Sequence, residues 1–317
     1  MASISKQMDR LTIRRNQRRF SGIDKMPKKN QTTKQAGKKT TASNQKASKS
    51  AMQLIYDDDD ISERLGKDRN FNWSLARGLE ILRSFSVRSS PLGNGELAEI
   101  TKLPKATVSR LTHTLTELGY LSLNQQIGKY EPTPAILALG YPVIASMKIR
   151  ALARDHLQQL ANDVNLTVAI GSRDRSSMIY VDASHPSTMM TLRLDLGSRV
   201  DMAKTSLGRA FLWGISELER DIIFAHFERR YGEEWPAPKN AIMASFEQID
   251  QRGFCIVDGE WQPDIRGVGV PLVSSGGGTV LALNAAGPRF AADMDTLENV
   301  VGPRLVHLCR SLSPMLS

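Results

Sequence analysis

Apolar positions recur at helical spacing from Trp73 onward and predict a helix that begins behind Ser74, a suitable N-cap. Its apolar positions are Leu75, Leu79, Leu82 and Phe85. The Ser-, Pro- and Gly-rich segment 89–95 ends this helix. A short second helix is predicted over 96–102 and a third after Pro104, so that two short helices joined by a tight turn form a helix-turn-helix.

The third predicted helix has the clearest pattern. Its apolar residues Val108, Leu111, Leu115 and Leu118 follow helical spacing and assign one face to the core. The first turn and the opposite face carry small polar and basic residues, which are the types that contact bases and phosphates in a major groove. The helix is predicted to end at Gly119, and its predicted DNA-binding residues are Lys105, Thr107, Ser109, Arg110 and His113.

A two-stranded hairpin is predicted after this helix, with strands at 120–123 and 129–131. It forms the wing of a winged helix-turn-helix, and Lys129 on its second strand is also predicted to bind DNA, by reaching a phosphate. Spacing alone leaves one alternative open, a small helical subdomain whose polar face has no DNA partner.

The second half of the chain alternates between strand-like and helical patterns. An apolar linker helix is predicted at 134–147 and another helix at 149–165. The remaining predicted elements are strands at 166–171, 178–182, 189–194, 254–258, 267–273 and 280–285, and helices at 204–214, 217–227, 241–252 and 292–312. Because hairpins, one of them closed by Gly276, Gly277 and Gly278, join the strands in place of βαβ crossovers, this half is predicted to be an α+β domain on an antiparallel sheet.

Composition restricts the class of protein. The 317 residues suggest about two domains, and a mean hydropathy of −0.29 without a long apolar run argues against a membrane partner. Two cysteines, Cys255 and Cys309, cannot form a disulfide framework, which indicates a reducing, cytoplasmic compartment.

The positive charge is confined to the beginning of the chain. The first 50 residues contain 14 Lys and Arg against Asp9 and Asp24, a net charge of +12, whereas the whole chain has +9. This segment has few large aliphatic residues, lacks the apolar region of a secretory signal, and is predicted to be disordered. It is either an arm that binds phosphates without sequence preference or a solvated tail without a role. The acidic run 57–60 either folds back on the basic arm or only separates it from the body.

No catalytic, metal or cofactor site is predicted. The five histidines are scattered, and no phosphate-cradling glycine loop is present. Cys255 lacks a nucleophile signature and is interpreted as a small buried residue. The carboxylates of Asp258, Glu260 and Asp264 flank Trp261 and are interpreted as a solvated lid over a pocket, with metal binding or acid–base chemistry as the alternative.

Ordered sequence blocks in both halves resemble the isocitrate lyase regulator (IclR) family of bacterial transcription factors. The blocks are SLARGLEIL (74–82), LPKATVSRLTHTLTELGYL (103–121), GKYEPTPAILALG (128–140), GSRVDMAKTSLGRAFL (197–212) and DGEWQPDIRGVGVPL (258–272). Lys102 replaces a usual Gly, which implies a slightly different turn, and Asp201 and Lys204 replace the usual Pro and a frequent His. The resemblance implies a winged helix-turn-helix joined by a linker helix to a GAF-like effector-binding domain.

An effector pocket is predicted at the helix that opens with Thr205. The N–H groups of a helix N-terminus favour an anion, and the small residues here let a ligand approach the backbone, so a small organic acid is the predicted effector. The alternative is that Leu207 and Gly208 only pack the helix. With the positions that the resemblance adds, the predicted effector-binding residues are Ser206, Leu207, Gly208, Asp258, Val268, Asn284 and Ala286.

These patterns together predict a transcriptional regulator, not an enzyme, in which an organic acid shifts the affinity for double-stranded operator DNA. It is predicted to be a homodimer or a dimer of dimers, because one recognition helix covers only a half-site. The alternatives are an enzyme with an attached DNA-binding domain and an architectural nucleic-acid protein that acts through the tail. The predicted parts are the tail 1–69, the DNA-binding domain 70–133, the linker 134–148 and the effector and oligomerisation domain 149–317.

Overall fold

The structure is a computed structural model, and residues 1–67 of the predicted tail, with its acidic run, lie outside the residues that it describes. So do most of the strand predicted at 189–194 and Gly277 of the predicted hairpin. The described residues are 68–86, 90–187, 194–274, 276, 278 and 280–316.

The first described part is a winged helix-turn-helix, as predicted. An antiparallel hairpin follows three helices, and Leu121 at its start pairs with Pro132 at its end. Asn72 is the N-cap of the first helix and accepts a hydrogen bond from the Leu75 backbone at 3.1 Å, so Ser74 lies inside the helix and is not its cap. The elements are α1 (Trp73–Arg83), α2 (Asn94–Thr101), α3 (Lys105–Glu117), β1 (Leu121–Asn124) and β2 (Lys129–Pro132).

A small apolar core joins these elements. Val108 and Leu115 of α3 are buried in it, but Leu118, which the spacing assigned to the same face, is exposed because α3 ends one residue earlier. Leu75 and Leu79 of α1 are exposed as well. The buried core residues are Ile81, Leu92, Leu97, Val108, Leu115, Leu121 and Tyr130.

Two helices of different character connect the halves. Helix α4 (Ala135–Ser146) is apolar but has no buried residue in the single chain, whereas α5 (Lys148–Val164) buries one side. The two helices bend by 85° at Met147, and among the described residues only this bent pair has the length and apolar composition of a membrane span. No single helix in the described part of the chain does.

The second half is built on one antiparallel sheet of six strands in the order β5-β4-β3-β8-β7-β6. Residues 189–193 of one predicted strand are outside the description, and Leu194 is not in a strand. The edge strand beside β4 comes later in the chain, at β5. The strands are β3 (Thr167–Asp174), β4 (Ser177–Ser184), β5 (Arg199–Asp201), β6 (Cys255–Asp258), β7 (Ile265–Val273) and β8 (Val280–Pro288).

Helices cover both faces of this sheet. One apolar cluster joins it to α6 (Ser206–Gly214), α7 (Glu217–Tyr231) and α8 (Pro236–Arg252). A second cluster on the other face includes α5 and the last long helix. The predicted helix at 292–312 is interrupted, because Pro303 has no N–H to donate and the chain before it widens into a π-helical segment. Its parts are α9 (Met294–Thr296), the π-helical segment Leu297–Val301 and α10 (Gly302–Leu312).

Candidate functional site

The polar face of α3 is open to solvent. Thr107 is half-buried at the edge of this face, and Thr112, on the inner side, is buried and donates its hydroxyl hydrogen to the Val108 carbonyl at 3.0 Å. Hydrogen bonds within the helix therefore satisfy the inner threonine, while the outer side chains remain available. The exposed predicted DNA-binding residues of α3 are Lys105, Ser109, Arg110 and His113.

His113 lies 4.0 Å from a carboxylate oxygen of Glu117, and the ammonium of Lys129 has a closer acidic partner. This ammonium lies 2.9 Å from a carboxylate oxygen of Glu96. The other oxygen of Glu96 accepts the Gly93 backbone N–H at 2.7 Å, and this hydrogen bond, followed by Lys129, holds the pKa of Glu96 below its usual value. Lys129 thus supports the start of α2, and its ion pair must open before it reaches a phosphate.

A cavity lies between the start of α6 and the sheet. The space that a water-sized molecule can enter is about 30 Å³, within a hollow of about 350 Å³ that includes open solvent. Its walls are mixed, with apolar side chains around a few polar ones. It is lined by Tyr180, Val200, Lys204, Thr205, Ser206, Val257, Trp261, Ile265, Arg266, Gly267, Asn284 and Ala286.

The N-terminus of α6 gives the cavity a positive end. The hydroxyl of Thr205 caps the helix by accepting the Gly208 N–H at 3.2 Å. The backbone N–H groups of Ser206 and Leu207 lie in the first turn of the helix, where no carbonyl of the helix is available to accept their hydrogen bonds. Lys204 also lines the cavity, and its ammonium lies 5.6 Å from the centre of the Tyr231 ring. This end of the cavity has the electrostatics that an anion requires.

Three of the seven predicted effector-binding residues line this cavity: Ser206, Asn284 and Ala286. Val268 does not, because side chains alternate along β7 and Val268 points into the cluster on the opposite face of the sheet. Its neighbour Gly267 faces the cavity instead. Asp258 does not line the cavity either; it binds Arg266 at 3.2 Å and Arg289 at 2.8 Å.

Leu207 and Gly208 belong to the packing of α6, which was the alternative interpretation. Leu207 is fully buried in the apolar cluster. A Cβ at Gly208 would lie 2.1 Å from the Met202 carbonyl oxygen and 2.4 Å from the Met202 Cα, so the space beside Gly208 is filled by backbone. The expectation that Gly208 leaves room for a ligand is wrong.

The loop between β6 and β7 covers the cavity and is fastened to the body. Glu260 forms two hydrogen bonds to the buried guanidinium of Arg209, one of them at 2.9 Å. Arg209 also donates to the Ala203 carbonyl at 2.8 Å and to the Ser245 hydroxyl at 3.1 Å. Asp258 and Glu260 of the predicted carboxylate cluster are therefore held in ion pairs with arginines. Among the described residues, no group of three or more His, Cys, Asp or Glu could hold a metal ion.

Nine of the twelve cavity residues were not predicted as effector-binding from the sequence, among them Tyr180 and Trp261. Tyr180 is buried on β4, and Trp261 lies on the covering loop. The alternation of buried and partly buried residues along β4 predicts that Tyr180 faces inward, but only the tertiary structure places it beside Asn284 on β8. Burial raises the pKa of Tyr180 to about 12, so its hydroxyl keeps its proton at neutral pH.

Cys255 is not built as a nucleophile. It is fully buried, and its Sγ lies 3.7 Å from the Ser206 carbonyl oxygen. Burial raises the pKa of its thiol to about 12, so almost no thiolate exists at neutral pH. These facts agree with its interpretation as a small core residue.

Ion pairs connect the winged helix-turn-helix to the sheet. Arg83 at the end of α1 donates to both carboxylate oxygens of Asp174, at 3.3 and 3.1 Å. Arg199 of β5 binds the same carboxylate at 2.7 Å, and Arg175 binds Glu80 of α1. Burial alone would raise the pKa of Asp174, but the hydrogen bonds and charges of these arginines outweigh it and lower the pKa.

The fold and the site define a class of protein, a transcriptional regulator with a winged helix-turn-helix and a second domain that carries a cavity. Residues 74–124 match the IclR helix-turn-helix domain, and residues 141–310 match the C-terminal domain of bacterial transcriptional regulators of the IclR type. The chain belongs to the IclR family.

Individual proteins agree with this assignment. The chain is 32% identical to the HTH-type transcriptional regulator TsaQ1/TsaQ2 of Comamonas testosteroni, over 75% of this chain and 86% of that one. An IclR family regulator from Brucella abortus has a similar structure, with 40% identity, 79% and 95% coverage and a TM-score of 0.71. An IclR homologue from Microbacterium hydrocarbonoxydans, solved with 4-hydroxybenzoate, shares the fold at 18% identity, 76% and 97% coverage and a TM-score of 0.57.

Proposed function

We propose that this protein binds operator DNA through α3 and that a small organic acid in the cavity changes its affinity for the operator. The observation that carries the proposal is the pairing of an exposed polar helix face with a cavity that has a positive end, within one chain. The domain boundaries and the cytoplasmic location inferred from the sequence belong to this proposal.

The DNA contact rests on the chemistry of α3. Arg110 is exposed in the middle of the helix and carries no ion pair in the described part of the chain, so it is free to bind a guanine edge or a phosphate. Ser109 and Thr107 lie near Arg110 on the same helix, and their short side chains can contact only bases or phosphates directly beside the helix. We therefore assign sequence preference to these two residues and most of the affinity to Arg110.

The acid is assigned to the cavity because the amide of Ser206, together with Lys204, is suited to a carboxylate. The 4-hydroxybenzoate complex of the Microbacterium hydrocarbonoxydans homologue supports this class of ligand. Binding without chemical change is the expected outcome, since Cys255 is unsuited to act as a nucleophile and the carboxylates of Asp258 and Glu260 are engaged with arginines.

Coupling between the DNA-binding helix and the cavity requires a structural element that is connected to both. Val200 of β5 lines the cavity, and the adjacent Arg199 shares Asp174 with Arg83 of α1. A ligand that displaces β5 would therefore change the ion pairs that hold α1 of the DNA-binding domain against the sheet. It changes operator affinity only if it binds one arrangement more tightly than the other.

A second copy of this chain is the proposed partner of α4. Leu137, Leu139, Tyr141 and Val143 are each between 55% and 74% exposed, which is unusual for so apolar a helix. Leu75 and Leu79 of α1 are exposed as well. A dimer would cover these side chains and would supply the second recognition helix that specific operators require.

Footprinting upstream of the gene for this protein, with and without organic acids, locates the operator. On that operator, Arg110→Ala should weaken binding by about 1–3 kcal/mol with the fold intact. Arg310→Ala removes an equally exposed arginine from α10 and is the matched control. Equal affinity of the native protein and Arg110→Ala at the same salt concentration would refute the assignment of α3.

Deletion of residues 1–65 separates this function from an architectural role. The truncated protein should lose non-specific affinity and show a weaker salt dependence, because fewer counterions are released from DNA. It should still prefer the operator to random DNA. Loss of that preference would favour the architectural role, and turnover of a bound acid would favour an enzyme.

A further inference from the structure

The buried pair of Asn284 and Tyr180 has hydrogen-bonding capacity that the protein does not use. Asn284 is 3% exposed, and its Nδ2 donates to the Tyr180 hydroxyl oxygen at 3.2 Å. Its Oδ1 is buried and has no hydrogen-bond partner. Buried side-chain acceptors are almost always paired, and an unpaired one costs about 1–3 kcal/mol.

Both side chains line the cavity. As placed, the Asn284 amide offers an acceptor, and the Tyr180 hydroxyl has a hydrogen left to donate. If the amide were turned over, Tyr180 would donate to Asn284, and the pair would then offer an amide donor and a lone pair of the phenol oxygen. In either arrangement it presents one donor and one acceptor.

A carboxylate cannot satisfy such a pair, because it only accepts hydrogen bonds at neutral pH. A hydroxyl group can, since it donates one hydrogen bond and accepts another. Lys204 and the α6 amides provide the place for a carboxylate elsewhere in the same cavity. The remaining lining includes apolar side chains such as Val200 and Trp261.

We infer that the effector is a small hydroxy acid, whose carboxylate binds the N-terminus of α6 and whose hydroxyl bridges Asn284 and Tyr180. This inference rests on the proposed function, because it names the class of ligand for the same cavity. A site that hydrogen-bonds a hydroxyl discriminates strongly against the analogue that lacks it, since the buried polar groups are then left unpaired.

The test compares acids that differ only in one hydroxyl. Calorimetric titration of the full chain with 4-hydroxybenzoate and benzoate, and with lactate and propionate, should show at least a tenfold tighter binding of the hydroxy acid in one pair. Asn284→Leu and Tyr180→Phe should each reduce that ratio toward one. Tyr130→Phe likewise removes a tyrosine hydroxyl oxygen, but from the core of the DNA-binding domain, and should leave the ratio of affinities unchanged.

Each outcome has a defined meaning. Equal binding of both members of each pair would overturn the hydroxyl assignment, and the partner of Asn284 would then be a buried water. The proposal of an acid effector would still stand. Absence of binding by all four acids would overturn the hydroxy acid and the acid effector together. Thermal unfolding identifies a misfolded Asn284→Leu protein, and Tyr180→Phe, which keeps the ring in the core, then decides the question.

Discussion

Gly208 gives the sharpest test of how the cavity is built. The Gly208→Ala substitution adds one methyl group at a point where the Met202 carbonyl oxygen and Cα would lie 2.1 and 2.4 Å away. Real Cβ contacts essentially never fall below 3.0 Å, so one backbone segment must shift by nearly an ångström. Overpacking usually costs about 1–3 kcal/mol, and we expect the upper end, about 3 kcal/mol, because the obstacle is backbone and not a flexible side chain.

Differential scanning calorimetry can measure this loss. For a domain of this size, about 3 kcal/mol corresponds to a fall of about 6–12 °C in the melting temperature of the effector domain. Gly95→Ala is the control, since Gly95 is an exposed residue of α2 with nothing within 4 Å of the added methyl group, and it should be neutral or slightly stabilising. A Gly208→Ala protein as stable as the native one would refute the contact with Met202 and restore Gly208 as a ligand-facing position.

Three further outcomes are expected. Lys102 has a left-handed backbone (φ 56°), so Lys102→Gly should stabilise the DNA-binding domain by about 0.5–1.5 kcal/mol in thermal unfolding, and a destabilised variant would contradict this. Asp174→Asn should lower stability at pH 7 by about 1–2 kcal/mol through the loss of its ion pairs with Arg83 and Arg199. The pKa of Asp174 is lower in the folded protein than its ordinary 3.8. The difference in stability between the native protein and Asp174→Asn should therefore be complete above pH 4 and vanish as the pH falls through the pKa of Asp174 in the folded protein. A stability difference that persists below that pKa would refute the ion pairs.

Local sequence patterns were sufficient for the DNA-binding domain. The helical spacing around Val108 and the position of Gly119 predicted α3, and the short loop before Lys129 predicted the hairpin. These features depend on contacts between residues close in sequence, where periodicity and turn chemistry act directly. Lys102 shows the limit: the substitution of a usual Gly suggested an altered turn, but the chain keeps the left-handed conformation with a Lys.

The cavity could be predicted only in part. The sequence located the start of α6 and the strand that carries Asn284, because a helix N-terminus and alternating apolar residues are local signals. It misplaced Val268 by one residue, and along a strand an error of one residue moves a side chain to the other face. The partners of Asn284 and Arg209 come from β4 and from the covering loop, at distances along the chain that no local pattern encodes.

The sequence by itself thus determined the order of most of the elements, the separation of charge and the family to which the chain belongs. The tertiary structure decided which side chains meet. It placed Gly208 against backbone, bound Lys129 to Glu96, and left Oδ1 of Asn284 without a partner at the cavity. Such contacts depend on strand pairing and packing between distant segments, and these set the chemistry of a site more strongly than the residue types alone.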